Sequence, residues 1–392
     1  MNKCLIPLFL ALIICSCHRE EIPAPTTQVD CQLDFSAHPK QEKYQAVLNS
    51  FTGSPFVGLT VLVDHPQDDL WIGSTGWADL ENELPMTPCH LQHAASIIKT
   101  YIAVVILQLE SEGKINLDDQ LQSYLPGDLL DQIPNGQEFT IRQLLQCRSG
   151  MPDTFESEFL LDFLNRPTQQ YSMEELIAFL YGVKPVGTPG ERFYYGDGNF
   201  ILLSMLIESL EGSLQEVFQR RIFDPLGCQD SYLINSPSQL PAGVAASYWD
   251  RHGNGVVENV STYQVALTAG LEGTDGLIST VYDLNLFQRG LVNGTLLNTN
   301  SYSQLVDFVD IKEGESSINY QAYGLGIARV QLSEHSWYGS FGNHVGSSAF
   351  MLYNPEQDVS IVATQNNGTF FNDDMKVEFF AFLILALEAC LF

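Results

Sequence analysis

Ser96-Ile97-Ile98-Lys99 opens an apolar run that continues to Leu109 and consists almost wholly of Ile, Val, Leu, Ala and Tyr. Such a run predicts a helix buried on every side, so the rest of the chain must wrap around it. Ser96 and Lys99 are spaced to share one helical face, one turn apart. The serine falls in the first turn, in the field of backbone amides that have no helical partner. The lysine is carried into poorly solvated surroundings. There, burial can lower a lysine pKa by roughly 3–5 units from about 10.4, toward the range useful for a base. A serine and a lysine so placed can carry out nucleophilic catalysis without a histidine. An N-cap serine with a snorkelling lysine has the same spacing, so the remaining chain must decide between the two.

The chain has 392 residues, 45% of them apolar, enough for a large core. Its net charge is −29, from 18 basic and 47 acidic residues scattered along the sequence. That balance argues against nucleic acid as a partner. A strongly anionic substrate would need a local basic pocket, and no basic cluster is visible in the sequence.

Lys3 and the apolar stretch Ile6 to Ile14 predict a targeting segment, too short for a membrane span. Ile14-Cys15-Ser16-Cys17 is similar to a bacterial lipoprotein signal, with Cys17 following a small residue and Cys15 following a bulky one. The expected organisation is a signal peptide over 1–16 and a lipid-anchored tether over 17–40 from Cys17. One domain follows over 41–392, in the cell envelope. Cys31, Cys89, Cys147, Cys228 and Cys390 remain, and one disulfide suits an exported chain, for instance Cys31 with Cys390. No Cys/His metal spacing occurs, and His90 and His93 lack a third ligand nearby, so no metal is expected.

Phe56 to Asp64 and Leu70 to Trp77 read as strands, and helical periods run from Ser96 to about Leu210. Strand-like alternation returns over Gly324 to Val330 and Ala349 to Thr364, with Tyr353-Asn354-Pro355-Glu356 as a hairpin turn. Asp373 to Leu391 reads as a helix, and Lys376, Glu378 and Glu388 argue that it packs on the sheet. Strands at both ends with helices between imply an α+β domain. Its antiparallel sheet is flanked by N- and C-terminal helices, with an all-helical insertion over about 115–270.

Two further motifs follow the serine and lysine. Pro189-Gly190-Glu191-Arg192-Phe193-Tyr194-Tyr195-Gly196-Asp197 precedes another apolar helix, and Gly342-Asn343-His344-Val345-Gly346-Ser347 reads as strand. The order S-x-x-K, Y-x-D, H-x-G resembles the serine β-lactamase and DD-peptidase superfamily, in its class C-like branch of DD-carboxypeptidases, D-aminopeptidases and esterases. Arg142 to Pro152, Gly276 to Leu284 and Tyr323-Gly324-Leu325-Gly326 are similar to flanking family segments, so the resemblance spans roughly 45–390.

The resemblance implies a β-lactamase/transpeptidase-like fold and an exported serine hydrolase with no cofactor, acting on small-molecule or peptide substrates: small esters, D-amino-acid peptides or β-lactam-like compounds. Ser96 would form the acyl-enzyme, Lys99 would take its proton, and Tyr195 would shuttle protons to the leaving group. The backbone amides of Ser96 and Ser347 would form the oxyanion hole, with Gly346 allowing close approach. His344 would stand where β-lactamases carry the lysine of K-T-G. Asp197 departs from the usual asparagine. An ionised aspartate donates no hydrogen bond and favours a charged Lys99. These points make Tyr195 the expected principal base. They also favour esterase or DD-carboxypeptidase-like activity over efficient β-lactamase activity. Cys147, where relatives often have histidine, reads as structural. A non-catalytic penicillin-binding or cell-wall-fragment-sensing lipoprotein of the same fold is the alternative.

Overall fold

In the computed structural model, residues 26–51, 53, 56–315, 320–368 and 373–391 are described. The expected signal segment and Cys17 lie outside them. Helix α1 (Gln41–Asn49) leads into β1 (Gly58–His65) and β2 (Asp69–Asp79), joined by a tight turn. Short β3 (Leu84–Pro85) extends this edge, and α2 (Ile98–Ser111) follows. Helices α3 (Gly198–Glu211) and α4 (Val281–Val292) come later. The sheet is then completed by β4 (Val309–Asp310), β5 (Ala322–Tyr323), β6 (Ala328–Leu332), β7 (His335–Asn343), β8 (Ser348–Asn354) and β9 (Val359–Gln365). Helix α5 (Asp373–Leu391) ends the chain.

The nine strands run in the order β3-β2-β1-β9-β8-β7-β6-β5-β4, all neighbours antiparallel. β1 from the start of the chain pairs with β9 near its end, in the register Val61 with Ala363. Period-two alternation sorts their side chains onto two faces. Val61, Phe350, Leu352, Ile361 and Ala363 meet Tyr44 and Leu48 of α1 and Leu383, Ile384 and Leu387 of α5. Leu62, Ala349, Met351 and Val362 face the opposite way, onto α2 and the helical region. α2 is buried from Ile98 to Leu107, which explains why its sequence shows no polar stripe.

Three expectations are corrected. The region over 115–270 is not all helical: Ser231–Leu233 joins Leu277–Ser279 and Gln92–His93 in one small sheet. Tyr248–Trp249 joins Glu258–Asn259 and Asn367–Gly368 in another. Strands of two or three residues are too short to display an alternating pattern. Cys31 is bonded to Cys89, with Cα atoms 5.5 Å apart, while Cys390 is a free cysteine, because nearness to the chain ends does not bring two Cβ atoms together. Finally, β7 stops at Asn343, so His344 to Ser347 form the hairpin turn into β8 and are not strand.

The apolar α5 lies on the sheet, and no helix among the described residues is long and apolar enough to cross a membrane. Its Glu388 is buried and accepts a hydrogen bond from Trp337 Nε1 at 2.7 Å. Burial raises the Glu388 carboxyl above the ordinary glutamate range. A carboxyl raised in the folded state loses stability as pH climbs through the unfolded value toward the folded one. Relative to the Glu388→Gln variant, the wild type is therefore expected to lose thermal stability progressively above about pH 4.3. Melting temperatures of both proteins across pH 4–7 test this, and a constant difference would refute it.

Candidate active site

Ser96 lies in a short 3₁₀ turn, Ala95–Ile97, that runs directly into α2. Ala95 has φ +48°, a left-handed conformation that costs a non-glycine residue of order 1–3 kcal/mol and persists only when its surroundings impose it. Those surroundings are tight. The Ala94 N–H donates to the Leu277 carbonyl at 2.9 Å, and a Cβ on Gly342 of β7 would lie 2.1 Å from the Ala94 oxygen. The glycine at 342 is what lets the strand backbone reach the turn that presents Ser96.

Lys99 is 2% exposed, and its Nζ donates to Ser96 Oγ at 2.7 Å. The same nitrogen lies 2.6 Å from Asp197 Oδ1 and 5.1 Å from the centroid of the Tyr195 ring. Asp197 stands at the N-cap of α3, yet its side chain makes no capping bond and turns to Lys99 instead. The Thr274 hydroxyl donates to the same carboxylate oxygen, and the Asp197 N–H donates to Asp153 Oδ1 at 2.9 Å. Burial, followed by the neighbouring Asp197 charge, pushes the Asp153 carboxyl upward. Tyr195 hydrogen-bonds Ser96, and burial and then Asp197 hold its hydroxyl well above the ordinary phenol range.

In the motif His344-Val345-Gly346-Ser347, His344 lies within electrostatic reach of Asp197 and Lys99. His344 Nε2 is 3.1 Å from Asp275 Oδ2, and burial holds the imidazole below its usual range despite that carboxylate. The Gly346 N–H donates to Gln264 Oε1 at 2.8 Å, and its Cα packs toward Ser247 and Val260. Ser347 is buried in the same turn. The strand residues that line the recess with Ser96 are Gly339-Ser340-Phe341, just before the motif. β6 pairs with β7 only as far as Gly339, and the His344 N–H bonds the Ser347 carbonyl at 2.8 Å. Antiparallel alternation therefore turns the Asn343 peptide away from β8, to the edge of β7 that carries the Ser96 recess.

That recess, about 220 Å³ counting the part open to solvent, is walled by Tyr195, Tyr320, Tyr323 and Phe341 around Ser96 and Lys99. Gly326, at φ +72°, closes its floor, because a Cβ there would meet Ala103 at 2.8 Å. Asp153, Thr274, Asp275 and Ser340 are site residues that sequence reasoning missed. Three of them adjoin segments it had singled out, after Pro152 and before Gly276. Cys147 is buried with its thiol pushed up to about 12, in keeping with a structural role. His90 and His93 are buried, and no cluster of His, Cys, Asp or Glu among the described residues could hold a metal ion.

A nucleophilic serine on a lysine, with a tyrosine and an acid one helix away, defines an acyl-transfer site of the serine hydrolase type. The chain belongs to the beta-lactamase family, whose description, Beta-lactamase, matches residues 51–383. Members of that family are serine hydrolases. The chain is similar to penicillin-binding protein 4* of Bacillus subtilis, 27% identical over 267 residues that make up 66% of this chain and 57% of that protein. It thus spans less than two thirds of that relative's length. Among solved structures, a D-stereospecific amidohydrolase from Streptomyces sp. is 25% identical with a TM-score of 0.74, covering 86% of this chain and 98% of that one. D-amino acid amidase from Ochrobactrum anthropi SV3, in complex with L-phenylalanine, shares the fold at 21% identity and TM-score 0.77, covering 90% and 98%.

Proposed function

We propose that this protein is an exported, lipid-anchored serine hydrolase that is acylated at Ser96 by small amides and esters, D-amino-acid amides and peptides among them. The observation that carries this reading is the buried Lys99 Nζ, 2.7 Å from Ser96 Oγ and 2.6 Å from Asp197. The amidohydrolase and amidase likenesses support amide substrates, and the N-terminal segment with the Cys31–Cys89 bond supports export.

In acylation Ser96 Oγ attacks the carbonyl carbon, and its proton passes to Lys99 as Lys99 passes one of its own to Asp197. The oxyanion is held by the Ser96 backbone amide. Collapse of the tetrahedral intermediate breaks the bond to the leaving group, which takes the Tyr195 proton. Lys99 then returns a proton to the Tyr195 oxygen. Water repeats the sequence to release the acid and restore Ser96. Lys99 with Asp197 is the base, and Tyr195 the acid, which suits a tyrosine kept as a phenol.

Intact-protein mass spectrometry after exposure to a fluorophosphonate, a penicillin and an activated ester tests the nucleophile. Adducts on the wild type and none on Ser96→Ala are expected. A folded wild type that forms no adduct and hydrolyses no ester would favour the fragment-binding alternative.

Tyr195→Phe tests the proton path. A p-nitrophenyl ester, whose leaving group needs no proton, should keep most of its kcat/KM, while an unactivated amide should lose about 10²–10⁴-fold. Equal losses on both would restore Tyr195 as the base.

A further inference from the structure

We infer that, given acylation at Ser96 as proposed above, the site selects substrates whose group beside the scissile carbonyl is uncharged or cationic, and rejects a carboxylate there. Among the described residues lining the recess, Lys99 is the one cation, and Asp197 already neutralises it at 2.6 Å. The strand wall offers a carboxylate no ammonium or guanidinium: Ser340 presents a hydroxyl that is engaged with Thr100. The remaining walls are rings. Tyr320 lies 6.0 Å from Tyr323 and 5.8 Å from Phe341 between centroids, alongside Tyr195. Ring faces attract cations and accept apolar groups, and they offer nothing to an anion.

The groups behind these walls add to the bias. Asp153, Asp197 and Asp275 all lie within the electrostatic reach of Lys99, and His344 Nε2 is 3.1 Å from Asp275 Oδ2, so the acids behind the walls leave no free cation for an incoming anion. The net charge of −29 extends the same sign outward, repelling an anion as it approaches and steering a cation in. A carboxylate added to the recess therefore finds no cation to pair with in a poorly solvated place, where an unpaired charge is costly. The aromatic lining is compatible with an apolar substituent at its mouth, and a protonated amine on the same carbon would be attracted to the ring faces.

The test is a matched set with one ring and one amide: phenylacetamide, phenylglycinamide in both enantiomers, and the monoamide of phenylmalonic acid. Dissociation constants on Ser96→Ala are measured by calorimetry, and ammonia release on the wild type is measured in parallel. The neutral and ammonium compounds are expected to bind at least about tenfold more tightly than the carboxylate. Added salt should narrow the part of that gap due to the whole-protein field. Ser340→Lys, which places an ammonium on the strand wall, is expected to close the gap by favouring the carboxylate compound.

Equal or tighter binding of the carboxylate compound, or no binding of any of the three, would overturn the inference. The predicted order on Ser96→Ala without turnover by the wild type would leave the charge selection standing and remove the hydrolase reading. The two can therefore fail separately.

Discussion

The site is organised around one buried ion pair. Lys99 is enclosed by the apolar body of α2, and an isolated ammonium there would be costly. Asp197 relieves that cost from the start of α3, and does so by leaving the helix end that its position would let it cap. Breaking such a pair by removing one partner leaves an uncompensated buried charge, which typically destabilises by 3–5 kcal/mol. The helical packing that brings α3 against α2 and the electrical balance of the catalytic group are thus one constraint. Thr274 and the Asp153 carboxylate then hold Asp197 in place through its oxygen and its backbone N–H.

The sheet supplies the other half of the geometry. Its central strands are buried on both faces, between α1 with α5 and α2 with its neighbours, so β7 cannot shift without disturbing both layers. Gly342 on β7 presses against Ala94, and the strained Ala95 follows. A rigid strand and a forced backbone turn together hold Ser96 at the mouth of the recess, where an oxyanion would also meet the Ser96 amide. Such preorganised positioning is where most catalytic stabilisation arises.

The same acid that steadies Lys99 shapes everything around it. Burial and then its charge hold the Tyr195 hydroxyl and the Asp153 carboxyl above their ordinary ranges. The local field is negative although the reacting nitrogen is positive. This is a different electrostatic setting from one in which a strand cation draws in an anionic substrate.

Much of this was legible in the residues. The run from Ile97 to Leu109 could only be a fully buried helix, and the spacing of Ser96 and Lys99 placed both on one face before any fold was known. The paired strands at the chain ends and the helix from Asp373 to Leu391 also follow from local periodicity, because a strand's alternation or a helix's repeat is written within the segment itself. Motif order was sufficient to indicate the family. Which residue meets which was decided only in three dimensions. His344 belongs to a turn and bonds Asp275, while Ser340 and Gly342 take the wall beside Ser96, because where a strand ends depends on its neighbours' register. Cys31 found Cys89 for the same reason. Periodicity is a property of one segment and can be read from it. A site is made of contacts between distant segments, and burial, register and charge balance assign those contacts only once the chain has packed.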